Sequence, residues 1–305
     1  MVFLLFAESG GVVLSRYRYD WTLSKLHRFL SEGRGKGKGS EYRPWLTVYD
    51  LSSRGRATRV LGWKTNRIHH LMTENELLYF YLLEWNDEVL DIREQYPLLG
   101  LFEMQHILDT RLLKRLYNKK TGVPYVIITT FLITVSGVNG KHRYIARSIK
   151  DKSDFNKPIV QDLFEIQRRY WEANGIDWGV VIPELIPRVK AKNIEWLHPF
   201  RDLTKWGFDV DRVQRLSERF LYAFNEYEPV RDICMRFDFL NKLPKGTGLT
   251  IYKHLVANKQ IRININSRIT HTDLSVQELN HSTTEMGMEN EKAYCEYAAS
   301  IQRNE

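Results

Sequence analysis

The stretches Tyr125-Val-Ile-Ile-Thr-Thr-Phe-Leu-Ile-Thr-Val-Ser136, Gly137-Val-Asn-Gly140 and His142-Arg-Tyr-Ile-Ala-Arg-Ser-Ile-Lys150 read as two strands and a tight turn. Both runs are rich in β-branched residues, and Asn-Gly between such runs is a strong short-range hairpin signal. Working upstream, Thr73 with Glu76 three residues on has capping-box spacing, and Leu77, Phe80, Tyr81 and Leu83 supply a helical apolar stripe. Residues 89–99 read as a strand closed by Pro97, and 103–117 as a second helix. Downstream, 157–174 reads as an amphipathic helix and 178–182 as a short buried strand. Helix, strands, hairpin, helix and strand imply an α/β domain with a mixed sheet, placed at 33–198.

Beyond it the pattern turns helical, with helices expected over 209–225, 229–240 and 250–257 and a strand over 260–266. Three helices and a strand suggest a small winged-helix-like domain at 199–268. Residues 1–32 form an N-terminal extension. From residue 271 the chain holds 7 Asp/Glu against 2 Lys/Arg, so 269–305 is expected to be a disordered acidic tail.

The 305 residues are 43% hydrophobic and 27% charged, within the globular range. Two cysteines, Cys234 and Cys295, exclude a disulfide-stapled fold and a Cys-rich zinc module. No apolar run approaches the ~20 residues of a membrane span, and the opening residues make a poor signal peptide, so a cytoplasmic location is expected. The net charge is +8, and residues 1–70 alone hold 13 Lys/Arg against 5 Asp/Glu. The basic excess is therefore N-terminal, which suits a polyanion such as nucleic acid, although a solvated basic face would look the same. Within it, Gly33-Arg-Gly-Lys-Gly-Lys-Gly39 alternates glycine with cations. It lacks the spacing of a phosphate-binding nucleotide loop. Arg34, Lys36, Lys38, Arg54, Arg56 and Lys64 are the candidate DNA-binding residues.

Three positions recur in metal-dependent nucleases built on a small mixed sheet: an acid on a helix, an acid on one hairpin strand and a lysine on the next. The carboxylates hold Mg²⁺, which activates water and stabilises charge on the phosphorus, and the lysine adds a fixed positive charge. Glu76 and Lys150 occupy two of these positions, and the strand acid would stand at 130, which is threonine. Asp151, next to Lys150, should point to the other face by strand alternation. His69 and His70 are expected at the surface or on phosphate, and Asp91 and Glu94 in a salt-bridge ladder.

The sequence resembles the TnsA family, the endonuclease subunits of the heteromeric transposases of Tn-seven-type transposons. The resemblance is carried by Gly33–Gly39, Pro44-Trp-Leu-Thr-Val48, Ser53-Arg-Gly-Arg56, His69-His70-Leu71, Glu84-Trp85 and Val89-Leu-Asp-Ile-Arg-Glu-Gln-Tyr-Pro-Leu-Leu99. It continues through Arg168-Arg169-Tyr170-Trp171 and Asn193-Ile-Glu-Trp-Leu197. It implies a restriction-endonuclease-like N-terminal domain, a winged-helix-like C-terminal domain, a Mg²⁺ cofactor and DNA cleavage at transposon 5′ ends. The implied partners are transposon-end DNA, a DDE-type transposase, TnsB, and an AAA+ ATPase, TnsC. The family's catalytic glutamate and lysine fall on Glu76 and Lys150. Its aspartate falls on Thr130, and a supporting glutamine on Ser148. A hydroxyl is a far weaker Mg²⁺ ligand than a carboxylate. Two readings follow: an endonuclease with impaired catalysis, or a DNA-binding and bridging subunit that no longer cuts.

Overall fold

The structure, a computed structural model, describes residues 7–8, 11–12, 21–50, 57–225 and 227–269. Two compact units divide between Ile186 and Pro187, rather than at 198/199, so the helix at the end of the expected α/β domain belongs to the second unit. Half of the N-terminal extension and all of the acidic tail from 270 lie outside the described residues.

The first unit begins with a two-residue ladder, Ala7–Glu8 (β1) with Gly11–Val12 (β2), and helix α1 (Leu23–Ser31), capped by Thr22. Strands β3 (Thr58–Leu61) and β4 (Ile68–Leu71) form a small hairpin, followed by α2 (Glu74–Trp85). The main sheet has the order β5 (Val89–Pro97), β6 (Ile128–Ser136), β7 (His142–Ile149), β8 (Asp177–Val181). The first two pairings are antiparallel and β7 with β8 is parallel, so the sheet is mixed as expected. At the hairpin, Asn139 and Gly140 take positive φ, 58° and 72°, which is why these two residue types sit there.

The parallel pair is bridged by α4 (Pro158–Ala173), whose Ile166, Tyr170 and Trp171 pack with Leu132 and Ala146 of the sheet. Phe131, one residue away on β6, instead meets Tyr79 of α2, so the sheet carries helices on both faces. The expected helix over 103–117 is broken into short turns. Asp109 accepts a hydrogen bond from the Leu112 N–H and starts a new four-residue helix, α3 (Thr110–Leu113). Leu108, Leu112 and Leu116 still reach the core. Strand β8 is half-buried at the sheet edge rather than buried.

The second unit packs α5 (Arg188–Leu197), α6 (Val210–Ala223), α7 (Val230–Leu240) and α8 (Thr247–Ala257) around Ile194, Phe220, Ile233 and Leu255. Gly246, at the start of α8, has no side chain to cap it. Asp238 of α7 does so instead, accepting from Gly246 N (2.7 Å) and Gly248 N (2.6 Å). No strand forms between 187 and 269 among the described residues, so the expected strand at 260–266, the winged-helix signature, is not seen. Asn193 Nδ2 donates to the carbonyls of Ile265 (2.8 Å) and Ser267 (2.7 Å), satisfying groups that a strand partner would have taken.

Candidate active site

The site is built where α2 begins. Thr73 caps the helix, its Oγ1 accepting from Glu76 N at 3.1 Å. In a capping box the Glu76 carboxylate would return to the cap residue. Here Oε2 accepts from Met72 N (2.8 Å) and from Gln95 Nε2 (3.1 Å). Gln95 can reach it because its backbone turns left-handed within β5, at φ 50°. The β5–β6 ladder pairs Glu94 with Phe131 and Tyr96 with Thr129, and skips Gln95 and Thr130 between them. Such irregularities re-aim side chains next to functional sites.

Across the hairpin, Thr130 Oγ1 accepts from Ile149 N at 3.1 Å, taking over a strand donor beside Lys150. Burial pushes the Glu76 carboxyl up to about 7, against the pull of the Met72 amide and of the Lys150 charge. Burial lowers the Lys150 ammonium, against the pull of Glu76, Asp154 and Asp151. Glu76 and Lys150 are thus brought close enough to act on each other. Asp151 also acts on Lys150, and buried Asp154, ion-paired with Lys157, was not foreseen in the sequence.

Ser148 belongs to a different group. Its hydroxyl donates to Gln167 Oε1 on α4 (2.7 Å), which also accepts from Thr129 (2.9 Å). Trp178 and Trp171 donate to those two hydroxyls, completing a neutral cluster on the α4 side.

Beside the site, Glu94 is fully buried between Arg67 and His69. Burial alone would raise its carboxyl, but His69 and Arg67 hold it well below the usual carboxylate range. His69 is buried as well, hydrogen-bonded to Glu94 Oε2 (2.7 Å) and Thr65 Oγ1 (2.7 Å), so it is a structural residue and not a surface one. The expected charge pairing of this strand is present: Asp91 meets Arg93 at 3.3 Å.

The glycine-rich loop is folded tightly. A Cβ at Gly35 would lie 2.3 Å from Pro97 Cγ, and one at Gly37 2.5 Å from the Glu41 carbonyl. Arg34 is not offered to solvent as a phosphate ligand would be. Its guanidinium lies 3.6 Å over the Phe29 ring and donates to Glu32 (2.6 Å), Asp50 (2.6 Å) and the Trp45 carbonyl (2.9 Å). Lys36 and Lys38 are exposed, and Lys64 is half-buried with its amide near Glu84. Arg54 and Arg56 lie outside the described residues.

The donors around Glu76 do not fit a Mg²⁺ ion, which takes near-octahedral hard oxygen ligands and gives up water reluctantly. Glu76 Oε2 is taken by two N–H donors, and position 130 offers a neutral hydroxyl, itself accepting from a third, where a second carboxylate would be needed. Among the described residues no group of three or more His, Cys, Asp and Glu is placed to hold a metal.

Residues 86–182 match the family described as TnsA-like endonuclease N terminal, and residues 186–265 match TnsA endonuclease C terminal. The chain is also 32% identical over 241 residues to the Transposon Tn7 transposition protein TnsA of Escherichia coli, covering 79% of this chain and 86% of that one. The chain belongs to the TnsA endonuclease family. The first TnsA match ends at residue 182 and the second begins at 186, beside the structural division between Ile186 and Pro187. No described helix is long and apolar enough to cross a membrane.

Proposed function

We propose that this chain is the TnsA-type subunit of a transposon's DNA-processing assembly, holding transposon ends while hydrolysing their 5′ strands poorly or not at all. One observation carries the reading: the residue at the family's aspartate position, Thr130, is a neutral hydroxyl that accepts from the Ile149 amide, so this strand offers no carboxylate there beside Glu76. An element served by such a subunit would move by a replicative route, because the 5′ strands stay attached. The proposed partners are transposon-end DNA, a DDE-type transposase (TnsB) that cuts and joins the 3′ ends, and an AAA+ ATPase (TnsC). Lys36 and Lys38 on the glycine loop, with Lys64, Arg54 and Arg56, are proposed to meet the phosphates, which positions DNA without reading its sequence.

The test is strand-specific cleavage of matched transposon ends by this chain with its partner transposase in Mg²⁺. Little 5′ cutting is expected from the natural chain and more from Thr130→Asp, with Glu76→Gln in that background abolishing the gain. Robust 5′ cutting by the natural chain, insensitive to Glu76 and Lys150 substitutions, would overturn both the reading and the residue assignment. The competing reading, an active endonuclease, is favoured by buried Asp154 acting on Lys150. It requires natural cutting that Asp154→Asn removes.

A further inference from the structure

The glycine-rich loop alternates in its contacts as it does in its sequence. Lys36 and Lys38 are exposed, while Gly35 lies against Pro97 of β5, where a Cβ would overlap the proline ring. Gly33, Gly35, Gly37 and Gly39 all take positive φ, from 55° to 90°, a region other residues rarely enter. Glycine loses more freedom than any other residue when its backbone is fixed, so an ordered loop of this composition has to be held. The first half closes on its own return: Gly35 N donates to Arg43 O (2.6 Å) and Arg43 N to Lys36 O (3.0 Å).

The far end is held by the sheet instead. Gly39 N donates to Asp91 Oδ1 of β5 at 3.3 Å, and Gly39 O accepts from Arg67 Nε at 3.2 Å. Each of these partners is only 8% exposed. Arg67 is fixed in turn, its Nη1 donating to Glu94 Oε1 (2.7 Å) and its Nη2 to the Ile92 carbonyl (2.8 Å). Asp91 is a different case. Its Oδ2 lies 3.3 Å from Arg93 Nε, yet neither atom has a hydrogen-bond partner. Among the described residues, the one hydrogen bond to this buried carboxylate comes from the loop. A buried carboxylate so sparsely satisfied calls for a reason beyond packing.

We propose that Asp91 is a positioning residue for DNA: by holding the Gly39 amide it fixes the loop, so that Lys36 and Lys38 are presented as a pair to backbone phosphates. The inference rests on the reading that these two lysines meet DNA. With the loop ordered beforehand, binding need not order glycine backbone as well. The proposal has a sign that charge alone would not give. A carboxylate beside a phosphate-binding loop repels phosphate, so its removal should tighten binding if charge were its only effect. A holding role demands the reverse for any side chain that cannot accept the amide.

Asp91→Asn and Asp91→Ala separate the two effects. Both remove the charge and the ion pair with Arg93, and only asparagine keeps an oxygen for Gly39 N. The measurements are binding of the full-length variants to a duplex of unrelated sequence at fixed salt, and amide hydrogen exchange of Gly39 without DNA. Asp91→Asn should bind at least as tightly as wild type, and Asp91→Ala about tenfold more weakly. Gly39 exchange should be about tenfold faster in Asp91→Ala and unchanged in Asp91→Asn. In a background of Lys36→Ala with Lys38→Ala, the two Asp91 variants should bind alike. Asp91→Ala binding as tightly as Asp91→Asn, Gly39 exchange equal in all three proteins, or a difference that persists without the two lysines would each overturn the proposal. If the double lysine variant binds DNA as wild type does, the loop is not at the DNA, and the inference falls together with the reading beneath it.

Discussion

Replacing Glu76 by glutamine should stabilise the protein in a way that grows with pH. In the folded chain, burial holds the Glu76 carboxyl near 7, against 4.5 for an exposed glutamate. Between those values the folded state binds a proton that the unfolded state has released. The favourable contribution of this raised carboxyl is therefore complete below pH 4.5 and lost as pH climbs through 7. At ~1.4 kcal/mol per pH unit, the whole shift corresponds to about 3 kcal/mol. Glutamine keeps an oxygen for the Met72 N–H and has no proton to lose. Urea unfolding of both proteins at pH 5 and pH 8 measures the effect. The stability of Glu76→Gln relative to wild type should rise by about 2 kcal/mol between those values, part of the full window. Lys150→Met removes the cation that opposes the rise, so wild-type Glu76 in that background should lose stability over the same range more steeply. A Glu76→Gln difference that is flat from pH 5 to pH 8 would show that the carboxylate is solvated and the burial argument wrong.

Gly248→Ala should destabilise the helical unit by about 1–3 kcal/mol, because a Cβ there lies 2.7 Å from the Cys234 carbonyl oxygen. Thermal denaturation checks it, and an unchanged midpoint refutes the close α7–α8 approach. Lys36→Ala with Lys38→Ala should weaken binding to any duplex and lower the slope of log K against log salt by ~0.9 for each phosphate no longer neutralised. The same slope in wild type and variant would remove the loop from the DNA interface. Thr130 is half-buried, so Thr130→Asp should lower stability in EDTA by about 1–3 kcal/mol, through loss of the hydrogen bond to the Ile149 amide and added negative charge near Glu76. Millimolar Mg²⁺ should restore it while leaving wild type unmoved, and a melting temperature indifferent to Mg²⁺ in both proteins would refute that expectation.

The elements with strong local signals were legible in the sequence. The Asn139-Gly140 hairpin, the α2 helix behind Thr73 and the α6 and α7 helices all form close to where periodicity and turn chemistry put them. What failed was whatever a distant side chain decides. Asp109 divides a continuous apolar period into turns, and Asn193 occupies the carbonyls of an expected strand from more than seventy residues away. The site shows the same division. Glu76 and Lys150 could be placed because each sits at a definable point of a helix or hairpin. The role of Gln95 could not, since strand alternation gives no hint of a residue at φ 50° turning back towards Glu76. Arg34 is the opposite case. Its place in a basic, glycine-rich run suggested phosphate, and only tertiary packing against Phe29 and Asp50 shows it committed inside.

Charge balance bears directly on the threonine at 130. Lys150 already feels Glu76, Asp154 and Asp151, so a further carboxylate at 130 would add negative charge that calls for a cation to balance it. With threonine there, that charge is absent, and burial, which pushes the Glu76 carboxyl up to about 7, keeps it protonated through the acid range. The threonine hydroxyl then satisfies the Ile149 amide, a donor that would otherwise end the strand unpaired at the site's edge. Ser148, short and neutral, closes on Gln167 towards α4, with both hydrogen-bonded to partners there. Both side chains are neutral and hydrogen-bonded within the protein, Thr130 on the hairpin and Ser148 towards α4. Neither side chain brings a charge that a metal would have to balance, and each is held by a hydrogen bond that a carboxylate or a longer side chain would have to replace.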